Sequence, residues 1–453
     1  MSGKTRLKGT TDNRSIKLTM VKIHPTRMDM VMLYIILFIY VFAFYLGPIS
    51  SSLLIGFGMW GIAILDKGFR SSCLITINKP LIINLVKWLI LVIITGCFFS
   101  IIHLTLDFSF LKVFLAQIIH LIAAIPVLSY LSHKKYTTSN VESAFIGIFV
   151  IQTLIQCIVS SFPALRETMF IFNHFDPESV VGLGNNFRGS ALSAATTYHL
   201  TLAYGICFII YVKHYFMRKI NFKSVLVGIL IFVGIFFAGR SGFIGCLIAL
   251  TGYLFIPKKF LHYSKTVNIF RVLIITFFTV TILISILAVV SPNFYNLLDK
   301  YILPYAFEFI YNYQNAGSAE TASTNELAKM WSYNFNPTEF IVGSGHFTDP
   351  DGKYYMHVDP GILRHLLYFG IIGYIVLLLY QYMAIPFFKM RGPTRFFCFL
   401  IYLFILIMDF KGVTLGGNKF MIFIPLLLSY TYLYLPKESK SNVENSIYNG
   451  IST

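Results

Sequence analysis

The sequence predicts an all-α protein: a polytopic integral membrane helical bundle of about twelve transmembrane helices with one large loop on its outer face. Three observations carry this. Of 453 residues, 56% are hydrophobic and 12% charged, and the mean hydropathy is +0.72. A soluble domain of this size has no interior large enough for that much apolar surface. The apolar residues gather into runs of about 20, the length a helix needs to cross a bilayer core of ~30 Å. Basic residues mark every second connection between the runs, as orientation in a membrane requires.

In chain order, residues 1–29 read as a basic polar tail. Its opening, MSGKTRLKGTTDNRSIKL, precedes no short apolar run with a cleavage site, so a retained cytoplasmic tail is expected and not a signal peptide. Residues 30–291 hold the first nine spans, near 30–47, 49–66, 81–102, 109–132, 141–163, 190–212, 222–239, 241–256 and 268–291. The pair around Arg240 also reads as one long broken segment. Residues 292–360 form the large outer loop. Residues 361–435 hold the last three spans, near 361–387, 394–410 and 418–435, and 436–453 form a second cytoplasmic tail. Backbone groups in lipid must bond internally, which favours helices. The period-2 alternation of a membrane barrel is absent, and no repeat recurs at 20 to 50 residues.

One set of connections carries Lys67, Arg70 and Lys79; His133, Lys134 and Lys135; Lys213, Arg218, Lys219 and Lys223; Lys258, Lys259 and Lys265; Lys389, Arg391 and Arg395. Lys437, Lys440 and the N-terminal tail fall on the same side, which is therefore the cytoplasm, with both termini inside. The other connections carry most of the acids: Asp107, Glu167, Asp176, Glu178, Asp299, Glu308, Glu320, Glu326, Glu339, Asp349, Asp351, Asp359 and Asp409. The net charge of +17 thus reflects topology and attraction to anionic lipid, and not nucleic-acid binding. The six cysteines lack metal-ligand spacing and suggest no disulfide.

Two outer segments exceed a turn, 164–189 and 292–360. In the second, NFYNLLDKYILPYAFEFIYNYQ is aromatic and broadly amphipathic, and predicts one or two interfacial helices. NAGSAETASTNELAKMW predicts a short helix through Met330, N-capped by Ser323 or Thr324. NPTEF and GSGHFTDPDGK read as turns.

Chemistry is sought among the cations on the acidic face. Membrane-edge charge is costly, and so marks function by default. Arg240, in IFFAGRSGFIGCL, sits among Ala238, Gly239, Ser241 and Gly242, which allow close backbone approach to a ligand. A guanidinium there suits an oxyanion such as phosphate. The competing reading is a snorkelling arginine that ends a helix. Arg188, in GLGNNFRGSALSAATTYH, precedes the sixth span, and His199 lies within it; a core histidine is the plainer reading there. Arg364 lies one turn into the tenth span. Lys411, in MDFKGVTLGGNKF, ends the eleventh beside Asp409, and the two can also be a structural ion pair. No P-loop, HExxH or complete calcium loop occurs, and GSGHF lacks the context of a dinucleotide site. No metal and no cofactor is expected. Arginines from separate places on one outer face suggest a lipid-linked phosphate or pyrophosphate.

Four stretches then resemble the Wzy-type O-antigen polymerases, relatives of the O-antigen ligases. They are the Arg188 loop, AGRSGFIG with Arg240, GSGH followed by HVDPGILRHLLYFGIIG, and DFKG before the last helix. Each is short; their order and shared side make the combination more specific. The resemblance implies a GT-C-like fold and an inverting, metal-independent glycosyltransferase of the bacterial inner membrane. Its substrates are oligosaccharide repeat units on undecaprenyl pyrophosphate in the periplasmic leaflet. It also implies a polysaccharide chain-length regulator as partner. Arg188, Arg240, Arg364 and Lys411 are the expected pyrophosphate ligands, since arginines stabilise a leaving group that gains negative charge. His357, Asp359 and Glu326 are candidates to activate or orient the acceptor hydroxyl. Asp359 with Pro360 also reads as a helix start, and Arg364 can pair with Asp359. The D-P-G-I-L-R run favours a polymerase over a ligase acting on a lipid A core. A flippase or other carrier should have balanced halves, whereas this chain concentrates its polar mass in one outer loop.

Overall fold

The computed structural model describes residues 25–173, 191–195, 197–217, 221–257, 308–317, 320, 322–350, 352–415 and 420–437. These are mostly helical. The one sheet among them is a two-stranded hairpin, β1 (Tyr45–Leu46) against β2 (Ile49–Ser50). The span expected at 268–291, Arg188, and nearly all of both tails lie outside the described residues.

The N-terminal half runs α1 (Arg27–Phe42), α2 (Ser51–Leu65), α3 (Lys67–Ile77), α4 (Pro80–Ile102), α5 (Ser109–His133), α6 (Thr138–Ser161) and α7 (Pro163–Asn173). Local chemistry sets the starts. Thr26 with Asp29 and Thr137 with Asn140 form reciprocal caps on α1 and α6, Asp66 caps α3, and Pro80 occupies the first turn of α4. α1 ends at residue 42, where Ala43 turns left-handed and the chain enters the hairpin. α3 is a helix where a bare basic connection was expected; its Phe69, Cys73 and Thr76 are buried.

The chain continues with α8 (Tyr198–Tyr211), α9 (Phe222–Ala238) and α10 (Phe243–Phe255). α8 starts well after residue 190, and a π-helical turn, Val212–Phe216, extends it. The outer loop supplies α11 (Glu308–Ala316), α12 (Ala322–Trp331) and α13 (Pro337–Val342). α14 (Gly361–Ala384), α15 (Gly392–Asp409) and α16 (Phe420–Tyr434) complete the bundle. α12 begins at Ala322, ahead of the expected caps. NPTEF, read as a turn, instead opens α13: Asn336 caps it and Pro337 takes its first position.

Among the described residues, five helices are long and apolar enough to cross a membrane: α4, α5, α6, α14 with its short extension to Lys389, and α15. Apolar residues lie on their outsides as well as their insides. Only 33% of the apolar window of α4 is buried, and Ile90, Ile94 and Phe98 are exposed along it. Water would not tolerate such a surface; lipid would, and this marks a membrane protein.

Small residues set the tightest contacts. A Cβ at Gly245 of α10 would lie 2.7 Å from Cα of Gly205 in α8, so only glycine lets these backbones meet. α14 is kinked at Gly370, whose φ of +63° and ψ of −174° leave the helical region. The kink frees carbonyls, and the outer loop takes them: Ser344 N–H donates to Leu367 O at 2.6 Å and Gly345 N–H to Tyr368 O at 3.3 Å. The GIIG sequence is thus a docking point for α13.

Candidate functional site

α8 and the turn after α15 bring three of the four singled-out stretches together, with the chain that follows Arg188 joining from the first. Tyr198, at the start of α8, donates its hydroxyl to Gly412 O at 3.2 Å and also to Met408 O, and His199 Nε2 lies 3.3 Å from Val413 O. One turn on, Thr201 Oγ1 donates to Gly239 O at 3.3 Å, next to Arg240. On the other side of the turn, Gly361 packs so closely that a Cβ would lie 2.1 Å from Asp409 Oδ1. His365 Nε2 meets Leu415 O at 2.9 Å. The DFKG turn is therefore wedged between the starts of α8 and α14.

Asp409 builds that turn and is fully buried. Its Oδ1 accepts from Thr414 N–H and Thr414 Oγ1, both at 2.8 Å, and from Leu415 N–H at 3.2 Å; Tyr374 Oη donates to Oδ2 at 3.4 Å. Asp409 thus builds the turn through this network, and Lys411 lies exposed on the turn.

Arg364 is the most enclosed of the described candidates, at 6% exposure. Its guanidinium carbon lies 3.3 Å from the ring centre of Tyr354 and 4.1 Å from that of Phe347, so the cation sits over both aromatic rings. Its buried Nε has no hydrogen-bond partner. Asp359 and Asp107 contribute facing negative charge, but the rings, not an Asp359 ion pair, hold the side chain.

The loop bearing those rings is anchored by Asp107, between α4 and α5. Its Oδ2 accepts from Phe347 N–H at 2.6 Å and Thr348 N–H at 2.8 Å, and its Oδ1 from Ser109. Burial pushes the Asp107 carboxyl up, but the donors from Ser109, Thr348 and Phe347 outweigh it and leave it below its ordinary value. Thr105 Oγ1 adds a bond to Gly345 O at 2.7 Å. DPDGK closes as a turn, as expected: Asp349 N–H donates to Lys353 O at 2.9 Å and Thr348 pairs with Tyr354.

Asp359 is exposed, immediately before α14. It does not cap the helix; Pro360 holds that position and Gly361 is the first helical residue. Its N–H contacts Met330 Sδ at 3.5 Å. Trp331 donates Nε1–H to Phe410 O at 3.2 Å and stacks on the Phe410 ring. The end of α12 thus spans from Asp359 to the residue before Lys411, over a small core of Val358, Leu363 and Leu367. Glu326, one turn earlier on α12, is exposed and pairs with Lys329 at 2.9 Å. His357 is exposed, has a left-handed backbone, and its Nε2 lies 4.0 Å from Asp349 Oδ2.

Arg240 opens a 3-10 turn between α9 and α10 and donates to Glu308 Oε2 at 2.6 Å. Both side chains are about one-third exposed, 31% and 30%. The α9–α10 pair is two helices separated by a break at Gly239. Among the described residues, Thr201 of α8 links the Arg240 turn to the other candidates. Among the described residues no three His, Cys, Asp or Glu side chains gather closely enough to hold a metal ion.

Sequence reasoning missed Asp409 as the turn-builder, and missed Tyr198, Trp331, Phe347 and Tyr354. Their signal was the density of aromatic residues beside the singled-out stretches. No protein-family model, curated protein or solved structure matches the chain.

Proposed function

We propose that this protein is a polymerase of undecaprenyl-pyrophosphate-linked oligosaccharide repeat units. It would work at the outer leaflet of a bacterial inner membrane, in a twelve-span GT-C-like bundle with both termini cytoplasmic. One observation carries the reading: the stretches with Arg240, Asp359–Arg364 and Lys411 adjoin through α8 and the Asp409 turn, at one end of the bundle. Distant cations gathered at one membrane edge suit a lipid-anchored anion with two phosphates.

In this reading a sugar hydroxyl on the incoming unit attacks the anomeric carbon of the growing chain. The new C–O bond forms as the bond to pyrophosphate breaks, and undecaprenyl pyrophosphate leaves with the electron pair. Arg240 and Lys411 meet the developing charge, with Arg364 deeper. Asp359 takes the hydroxyl proton; it is preferred to Glu326, which is engaged with Lys329, and to His357, which faces Asp349. The anomeric configuration inverts, because the attack is a single displacement. A chain-length regulator is the expected protein partner.

Arg240→Ala in the producing strain tests the reading. Long polymer should vanish while glycolipid bearing a single repeat persists. Persistence of long polymer, or precursor trapped on the cytoplasmic side, sinks the proposal; the second result points to a flippase.

A further inference from the structure

The outer loop lies on two arginines of the candidate site at once. Glu308, which opens α11, accepts from Arg240 Nη2 at 2.6 Å. Near the other end of the same loop, the ring centre of Tyr354 lies 3.3 Å from the Arg364 guanidinium carbon. Tyr354 is 43% exposed and Arg364 is 6% exposed, so the ring is the outer layer and the cation lies beneath it. Between these contacts, Trp331 of α12 stacks on Phe410, the residue before Lys411.

Both contacts are built to give way. The Arg240–Glu308 pair is about one-third exposed on each side, so water screens it and its net worth is small. Tyr354 sits on a hairpin whose halves differ. The first half is anchored to the bundle, with Phe347 and Thr348 donating their N–H groups to Asp107. The second half bonds back to the first: Tyr355 N–H donates to Phe347 O at 3.3 Å and Met356 N–H to Asp349 Oδ2 at 3.0 Å. It returns to α14 through Met356 and His357, consecutive non-glycine residues with φ of +55° and +52°. Left-handed backbone at such residues is strained, and a movement of the hairpin relieves it.

An anion has something to gain from the exchange. Arg364 Nε is buried with no hydrogen-bond partner. An aromatic face offers a guanidinium negative potential but no lone pair, whereas a phosphate presents two oxygens along one edge of the fork. With the guanidinium enclosed, a ligand reaches it only when the cover moves.

We propose that the outer loop is an internal competitor for the anion site. Glu308 stands on Arg240 in place of a phosphate oxygen, Tyr354 caps Arg364, and the pyrophosphate of a polyprenyl-linked substrate displaces both. This rests on the reading of these arginines as pyrophosphate ligands and adds that the loop sets the apparent affinity. A site open for only a fraction of the time binds more weakly by that fraction, so removing the cover must tighten binding. By linkage, the ligand must in turn free the loop.

The test titrates the full-length protein in neutral detergent with farnesyl pyrophosphate, a short polyprenyl pyrophosphate, and with farnesol as the uncharged control, by calorimetry. Tyr354→Ala should bind farnesyl pyrophosphate about tenfold tighter than wild type, having lost an enclosed cation–ring contact, and Glu308→Gln about threefold tighter, having lost a partly exposed ion pair. Neither side chain is buried, so the melting temperatures should stay near that of wild type. Trypsin gives a second readout, because Lys353 is exposed beside Tyr354. Farnesyl pyrophosphate should speed cleavage after Lys353 several-fold in wild type, and farnesol should not. If neither variant binds tighter than wild type, the cover is overturned and the arginines stand as pyrophosphate ligands. If farnesyl pyrophosphate binds none of the three proteins, the cover and the pyrophosphate reading fall together. Protection of Lys353 by the ligand also overturns the proposal, since the hairpin would then close on the substrate and not compete with it.

Discussion

At the residue scale, the charged groups divide by what holds them. Arg364 is fixed by rings, Asp409 by backbone and hydroxyl donors, and Arg240 pairs with a carboxylate about one-third exposed. Arg240 is the group a ligand can most easily recruit, since exchanging Glu308 for a phosphate needs little burial. If bidentate contact matters there, Arg240→Lys should lose most polymer length as Arg240→Ala does, read from glycan ladders on gels. Asp107 carries a different consequence. Its carboxyl is depressed in the folded protein, so its contribution to stability is full above the ordinary value of about 3.9 and is lost as pH falls through the lower folded value. The melting temperature of wild type should therefore drop below about pH 4, and Asp107→Asn should be less stable at neutral pH and show a smaller further drop. An equal acid dependence in both proteins would mean that the loop is held by something else.

At the element scale, the outer loop is stitched to the bundle at a defect in α14. Gly370 leaves helical geometry, and a Cβ there would lie 2.3 Å from Ile341 O. Gly370→Ala combines left-handed strain with a backbone clash, so a loss of about 2 kcal/mol or more is expected. Limited proteolysis should then cut first near residues 341–345. Wild-type protection would show that α14 absorbs the change. The α8–α10 contact gives a second case. Gly245→Leu must separate two backbones now touching at Gly205, and should lower both the melting temperature and polymer output, since α8 links Arg240 to the Asp409 turn.

At the scale of the whole molecule, the arrangement predicts that reporter fusions after residues 134, 219 and 437 read cytoplasmic and one at 353 reads external. A fusion at 219 on the same side as 353 would break the alternation on which the twelve-span reading rests. Much of the helical architecture was legible because period, length and capping are local. Runs near 80–102, 109–133 and 361–384 could be read almost to the residue. Short helices that depend on docking were not: α3 was expected as a connection, and α13 as a turn. The candidate site was half legible. Arginines and lysines announce themselves where charge is costly. Their surroundings do not, because Phe347, Tyr354, Trp331 and Tyr198 look like any other aromatic residues in a chain so rich in them.

Sequence alone determined that this protein is helical and built for lipid, since hydropathy and composition are properties of each segment by itself. It also singled out the stretches at the candidate site. Only the tertiary structure decided that Asp409 turns inward to build the DFKG loop, that Gly370 breaks its helix to receive α13, and that Arg364 lies over two rings. Each of these joins residues far apart in the chain, and their free energy exists only once both sides have met and excluded their surroundings.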